Sequence, residues 1–183
     1  MNLHAPAFLA LVGLSTALSL SGCASMPVIE AERTSLHQDV QATISRFRAR
    51  DPSLEEFFET AYGYAVFPTV GKGAFIVGGA HGIGEVFEQG EVIGYCDLAQ
   101  GTIGLQLGGQ AYSEIIFFER PSALDQFRFG KFAFAAQASA VLVTAGASAD
   151  VDYERGVAVF TMAKGGLMAE AAVGGQNFTF QPK

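Results

Sequence analysis

At Gly63 the spacing of apolar residues in this chain changes. Before it they recur every three or four positions; after it they recur every second position, and glycine interrupts almost every run. A two-residue period places alternate side chains on opposite faces of a strand, and glycine inside such runs marks bends, bulges and close approaches. The candidate strands are Tyr64 to Phe67, Gly73 to Gly79, Glu85 to Glu88, Val92 to Asp97, Thr102 to Gly108 and Ser113 to Glu119. Further extended runs are Phe134 to Thr144, Ala147 to Tyr153, Val157 to Met162, Leu167 to Val173 and Asn177 to Phe180. Alternation is clearest where Ile103, Leu105 and Leu107 face one way and Thr102, Gly104, Gln106 and Gly108 the other.

The segment before Gly63 is helical in pattern. Ile29, Arg33, Leu36, Val40, Ile44 and Phe47 share one face, and Glu32, Gln38, Asp39, Arg46 and Arg50 the opposite one, which predicts an amphipathic helix over 28–49. Asp51 is placed to cap a second short helix, with Pro52 in its first turn and Leu54, Phe57, Phe58 and Ala61 as its apolar stripe. Pro121 opens a third helix that buries Ala123, Leu124 and Phe127. The expected fold class is α+β, with amino-terminal helices packed on a strongly curved, largely antiparallel, glycine-rich sheet or partly closed barrel.

One strand ending recurs. An apolar residue, two glycines and a small or polar residue stand at Val77 to Ala80, Leu107 to Gln110 and Val173 to Gln176. Paired glycines let a strand bend or bulge. They also leave a groove free of side chains, into which an acyl chain or headgroup can approach, and both readings stand.

The amino terminus carries an address. The apolar run from Ala5 to Leu20 is shorter than the ~20 helical residues needed to cross a ~30 Å hydrocarbon core, and it ends in Leu20-Ser21-Gly22-Cys23. This reads as a cleavable bacterial lipoprotein signal, residues 1–22, with Cys23 as the acylated residue. Two or three acyl chains hold a protein on a membrane where one binds only marginally. Ala24 rather than an acidic residue after Cys23 resembles the sorting pattern of enterobacterial lipoproteins, which implies the outer membrane, with the protein facing the periplasm. Residues 23–34 then form a lipidated tether and the start of the first helix, and residues 35–183 a single domain.

With 11 basic and 18 acidic residues the formal net charge is −7, which argues against nucleic acid as a partner. Cys96 has no second cysteine to pair with once Cys23 is committed to lipid, and its strand-like surroundings suit a buried, inert thiol.

Four stretches, Gly63 to Pro68 (Gly-Tyr-Ala-Val-Phe-Pro), Lys72 to Gly79 (Lys-Gly-Ala-Phe-Ile-Val-Gly-Gly), Gly101 to Gln110 and Lys164 to Gly175, in that order and spacing, resemble the SYLF family over roughly residues 35–180. The resemblance implies a lipid-binding domain rather than an enzyme, in a branch of exported bacterial lipoproteins; eukaryotic members bind phosphoinositide membranes and some bind actin. Those members use a basic amphipathic amino-terminal helix. Here that helix has only Arg33, Arg46, Arg48 and Arg50, diluted by Glu30, Glu32 and Asp39.

Catalytic and cofactor patterns are incomplete. His37 and His81 are the only histidines after the leader, so no His-Glu-x-x-His zinc pattern exists. A phosphate loop around Gly71 and Lys72 lacks its first glycine, at Val66, and its hydroxyl, at Gly73. A dinucleotide-type pattern begun by Gly82 and Gly84 stops at Phe87. His81 reads as a turn residue. Asp150, Asp152 and Glu154 read as a solvated strand edge, since a calcium loop needs a glycine at position six and a glutamate at twelve. No cofactor is expected.

Ligand contacts are expected from Arg46, Arg48, Lys72, Arg120, Arg128, Lys131 and Lys164, which form a phosphate-attracting rim should they converge over an apolar groove. The alternative for these residues is ordinary surface charge. The leading functional reading is a non-enzymatic, outer-membrane-anchored lipoprotein that binds phospholipid or another acylated ligand. An envelope structural or protein-interaction module is the second, and a lipid or peptidoglycan hydrolase the third.

Overall fold

The computed structural model describes residues 26–27, 29–74, 77–130 and 140–183. Cys23, Lys131 and most of the expected strand Phe134 to Thr144 lie outside them. Helix α1 (Glu30–Arg50) is followed by a 3-10 turn (Pro52–Leu54) and helix α2 (Glu55–Thr60). Strands β1 (Gly63–Ala74), β2 (Val77–Glu88) and β3 (Glu91–Phe118) come next, then helix α3 (Pro121–Arg128), the short β4 (Val141–Leu142) and β5 (Val157–Pro182).

The short strands expected from the glycine punctuation are fused into a few long bent ones. Glycines between them curve the strands instead of ending them. The stretch Gly73 to Gly79, expected as a strand, holds the end of β1 and the start of β2. Ala147 to Tyr153, also expected as a strand, forms turns and irregular backbone, as do the acidic residues Asp150 and Asp152.

The first half of β3 pairs with β2, where Val77 faces Ile103, and its second half pairs with β1, where Ala74 faces Gly108. β3 therefore passes round the end of the β1–β2 pair and returns along its other side. β5 follows β3 antiparallel from Phe118↔Val157 to Gly94↔Pro182. Five strands thus supply seven sheet segments, and the sheet curls strongly without closing into a barrel. The expected α+β class holds in its curved-sheet form.

Both faces of the sheet are buried, which explains the unbroken apolar runs Ile115 to Phe118 and Val157 to Phe160. Ala65, Phe67, Val86, Ile116, Phe118, Val157 and Val159 belong to one cluster with α3, through Ala123, Leu124 and Phe127. Their neighbours Val66, Phe87, Ile115, Phe117, Ala158 and Phe160 belong to a second, with Val40, Ile44 and Phe47 of α1 and Phe57 of α2. The first cluster fills the inside of the curl: Phe178 on β5 reaches Phe67 on β1, ring centres 5.9 Å apart, although β2 and β3 lie between them in the sheet.

Two polar contacts fix the helices to this frame. Asp51 caps the 3-10 turn as expected, and its buried carboxylate also accepts bonds from the amides of Gly146 and Ser148 and the Ser148 hydroxyl. His37 Nδ1 on α1 lies 2.9 Å from Glu85 Oε2 on β2. Pro68, which has no N–H to give a ladder, sits where the register of β1 slips against both neighbours. Its carbonyl instead accepts from the buried Ser113 hydroxyl at 2.7 Å.

Candidate functional site

The recurring glycine pairs align in space. Gly175, Gly101, Gly79, Gly73 and Gly109 are successive partners across the sheet, so one transverse row of five segments carries no side chain. A Cβ added at Gly73 or Gly101 meets nothing within 4 Å, and at Gly79 and Gly109 only ordinary contacts at 3.5 and 3.7 Å. Packing does not demand glycine here. The row is exposed backbone.

The adjacent row is its chemical opposite. Gln176, Gln100, Ala80, Lys72 and Gln110 are successive partners, and all but the half-exposed Gln110 are buried. They share the face of Val70, Leu98 and Phe178, so they point into the curl above its apolar core. From the far side Glu114 joins them. Gln176 Nε2 donates to Glu114 Oε2 at 3.2 Å. Burial pushes the Glu114 carboxyl up to about 7, against the bond from Gln176.

This inner polar layer was not among the expected binding residues, apart from Lys72. Its signal lay in the repeats, whose fourth members are Ala80, Gln110 and Gln176. Three strands end the same motif in register, which a linear reading cannot display.

The expected basic rim is dispersed. Arg46 donates to Thr43 Oγ1 on its own helix. Arg48 pairs with Glu55 at 2.9 Å and lies over the Phe58 ring. Arg120 pairs with Glu119, and its guanidinium covers Gly156. Arg128 stands 4.0 Å from Glu88 and 3.8 Å from Asp125, and over the Phe180 ring. Lys164 donates to the Pro68 carbonyl and to Thr69 Oγ1. Lys72 alone of these lies in the inner row. A linear sequence shows where cations occur, not which carboxylates the fold sets beside them.

His81, expected in a turn, is within β2, with Nε2 2.5 Å from Asp97 Oδ2 on the neighbouring strand. Cys96 is fully buried, and burial raises its thiol well above the ordinary range, as expected of an inert cysteine. Among the described residues no group of three or more His, Cys, Asp or Glu side chains is placed to hold a metal ion, and no helix is long and apolar enough to cross a membrane.

Residues 99–183 match the model of the Ysc84 family, described as Las17-binding protein actin regulator. The match takes in most of β3, α3, β4 and β5, and so Gln100, Gln110, Glu114 and Gln176 of the inner layer; the earlier motifs Gly63 to Pro68 and Lys72 to Gly79 precede it. No curated protein matches the chain. Residues 99–183, a little under half of the chain, are thus similar to the SYLF-domain family, in agreement with the motifs that precede them.

Proposed function

We propose that this protein is an acylated envelope protein, anchored through Cys23 to the outer membrane, whose curled sheet binds a phospholipid or another acylated molecule without covalent chemistry. A SYLF domain is a binding module, and the family match supports binding over turnover. The observation that carries the ligand reading is the polar row Gln176, Gln100 and Lys72, held inside the curl above the apolar cluster of Phe67, Val70, Leu98 and Phe178. A polar layer over an apolar interior suits an amphiphile, with apolar burial worth ~25 cal/mol per Å² and hydrogen bonds setting its orientation.

The anchor rests on Leu20-Ser21-Gly22-Cys23 alone. Metabolic labelling with radioactive palmitate tests it: label in the wild type and none in Cys23→Ser supports acylation, and an unlabelled wild type removes it. The ligand is tested separately. Organic extraction of the purified protein and mass spectrometry should recover about one lipid per chain, and a lipid-free protein that also ignores added lipid rejects the reading. The family description favours one other reading, a protein-docking module in the sense of a Las17-binding protein, for which the exposed sheet backbone at the glycine row is the available surface.

A further inference from the structure

Gln100 and Gln176 face each other across β3 and β5, and Glu114 closes on Gln176 from the opposite side of the curl. They are 5%, 3% and 1% exposed. Yet among the described residues Gln100 Nε2, Gln100 Oε1, Gln176 Oε1 and Glu114 Oε1 have no hydrogen-bond partner. Buried polar atoms are almost always paired, and three adjacent side chains that each leave atoms unpaired need an explanation. Half-satisfied networks in a low-dielectric interior are costly to keep. A partner from outside the chain removes that cost.

The chemistry of the orphans selects the partner. Three are acceptors when Glu114 is ionised, and one, the Gln100 amide nitrogen, is a donor. A group rich in N–H donors and positively charged complements two amide oxygens and a carboxylate. Lys72 lies in the same row. On the outside, Arg48, Arg120 and Arg128 face carboxylates of the chain itself at Glu55, Glu119, Glu88 and Asp125.

We propose that the inner layer of Gln100, Gln176 and Glu114 binds a primary-ammonium headgroup, as carried by an ethanolamine phospholipid, and discriminates against the quaternary ammonium of choline lipids. The two headgroups have the same charge, but only the primary ammonium donates N–H bonds. This rests on the lipid-binding reading for the acyl part and adds the identity of the head.

Native mass spectrometry of the full chain, released from detergent and titrated with phosphatidylethanolamine or phosphatidylcholine of identical acyl chains, tests it. The expected result is one ethanolamine lipid per chain at least tenfold more readily than the choline lipid. Gln100→Leu and Gln176→Leu should each cut the ratio below twofold while still binding lipid. Because Gln100→Leu removes two orphaned atoms and keeps the volume, its thermal melting should not fall; Gln176→Leu also breaks the bond to Glu114, so Glu114→Gln, which keeps the shape and a hydrogen-bonding partner, serves as the further variant and should also lose discrimination. Equal binding of both lipids, or a preference that survives all three variants, overturns the headgroup site and leaves lipid binding standing. Binding of free phosphoethanolamine without either lipid keeps the headgroup site and rejects the acyl ligand. Binding of none of the three rejects both.

Discussion

Gln176 on β5 donates to Glu114 on the second half of β3 at 3.2 Å, across the inside of a curl whose sheet places three other segments between them. The bond holds the two flanks of the sheet together and keeps a carboxyl group in a dry place. That carboxyl makes the fold sensitive to pH.

Glu114 titrates at about 7 in the folded protein against 4.5 as a free side chain. A raised folded value means that the native state holds the proton more tightly than the unfolded chain. The contribution is fully present below pH 4.5 and lost as pH rises through 7, and it amounts to about 3 kcal/mol. Glu85, raised by its own burial against the pull of His37, acts in the same direction. Urea unfolding at pH 5 and pH 8 should show lower stability at pH 8, and Glu114→Gln should remove most of the difference.

Asp51 works the other way. Burial alone raises its carboxyl, but bonds from Ser53 and Ser148 outweigh that and hold it at about 2. Its stabilisation is present above pH 3.8 and disappears as pH falls through 2. Asp51→Ala removes a helix cap and orphans the amides of Gly146 and Ser148, so a loss of about 3 kcal/mol is expected, or about 10 °C in melting temperature. Calorimetry of the variant at pH 7 measures it.

The glycines divide into two kinds. A Cβ at Gly94 would stand 2.4 Å from the Gln181 carbonyl oxygen and 2.6 Å from the Phe180 ring, so Gly94→Ala should cost about 2 kcal/mol. At Gly101 a Cβ meets nothing, and Gly101→Val should leave stability within about 0.5 kcal/mol of the wild type. Chemical denaturation of the pair distinguishes a packing role from an open surface.

Phe129, at the end of α3, is 72% exposed, the most exposed large apolar side chain among the described residues, and it follows Arg128. Aromatic rings favour the bilayer interface, and cations beside them favour anionic lipid. The chain contains no tryptophan, so Phe129→Trp introduces a single fluorescent reporter. Its emission should move to the blue on addition of vesicles and be quenched by brominated lipid, whereas Leu142→Trp should not respond. Vesicle binding with a silent Trp at position 129 would place the contact elsewhere.

The helices were legible because local rules set them: Asp51 and Pro52 start a turn wherever they fall in a fold, and Val40, Ile44 and Phe47 share a face by spacing alone. The sheet was legible as a type, not in its layout. The stretch 73–79 holds the end of one strand and the start of another, whereas the glycines at 94, 101 and 109 lie within a single strand, and the difference lies in partners far along the chain. The candidate site was the least legible part, for the same reason. Arg128 looks available until Glu88 and Asp125 stand beside it, and Gln100 looks like a surface residue until β5 covers it.

Because β3 is hydrogen-bonded on one side to β1 and β2 and on the other to β5, a chain emerging from its amino end builds half of the sheet before its last strand exists. Until Val157 and the residues after it arrive, the whole outer margin of β3, more than two dozen residues, offers unpaired amides and carbonyls to any passing strand. Shielding that margin during synthesis is a requirement of the topology itself.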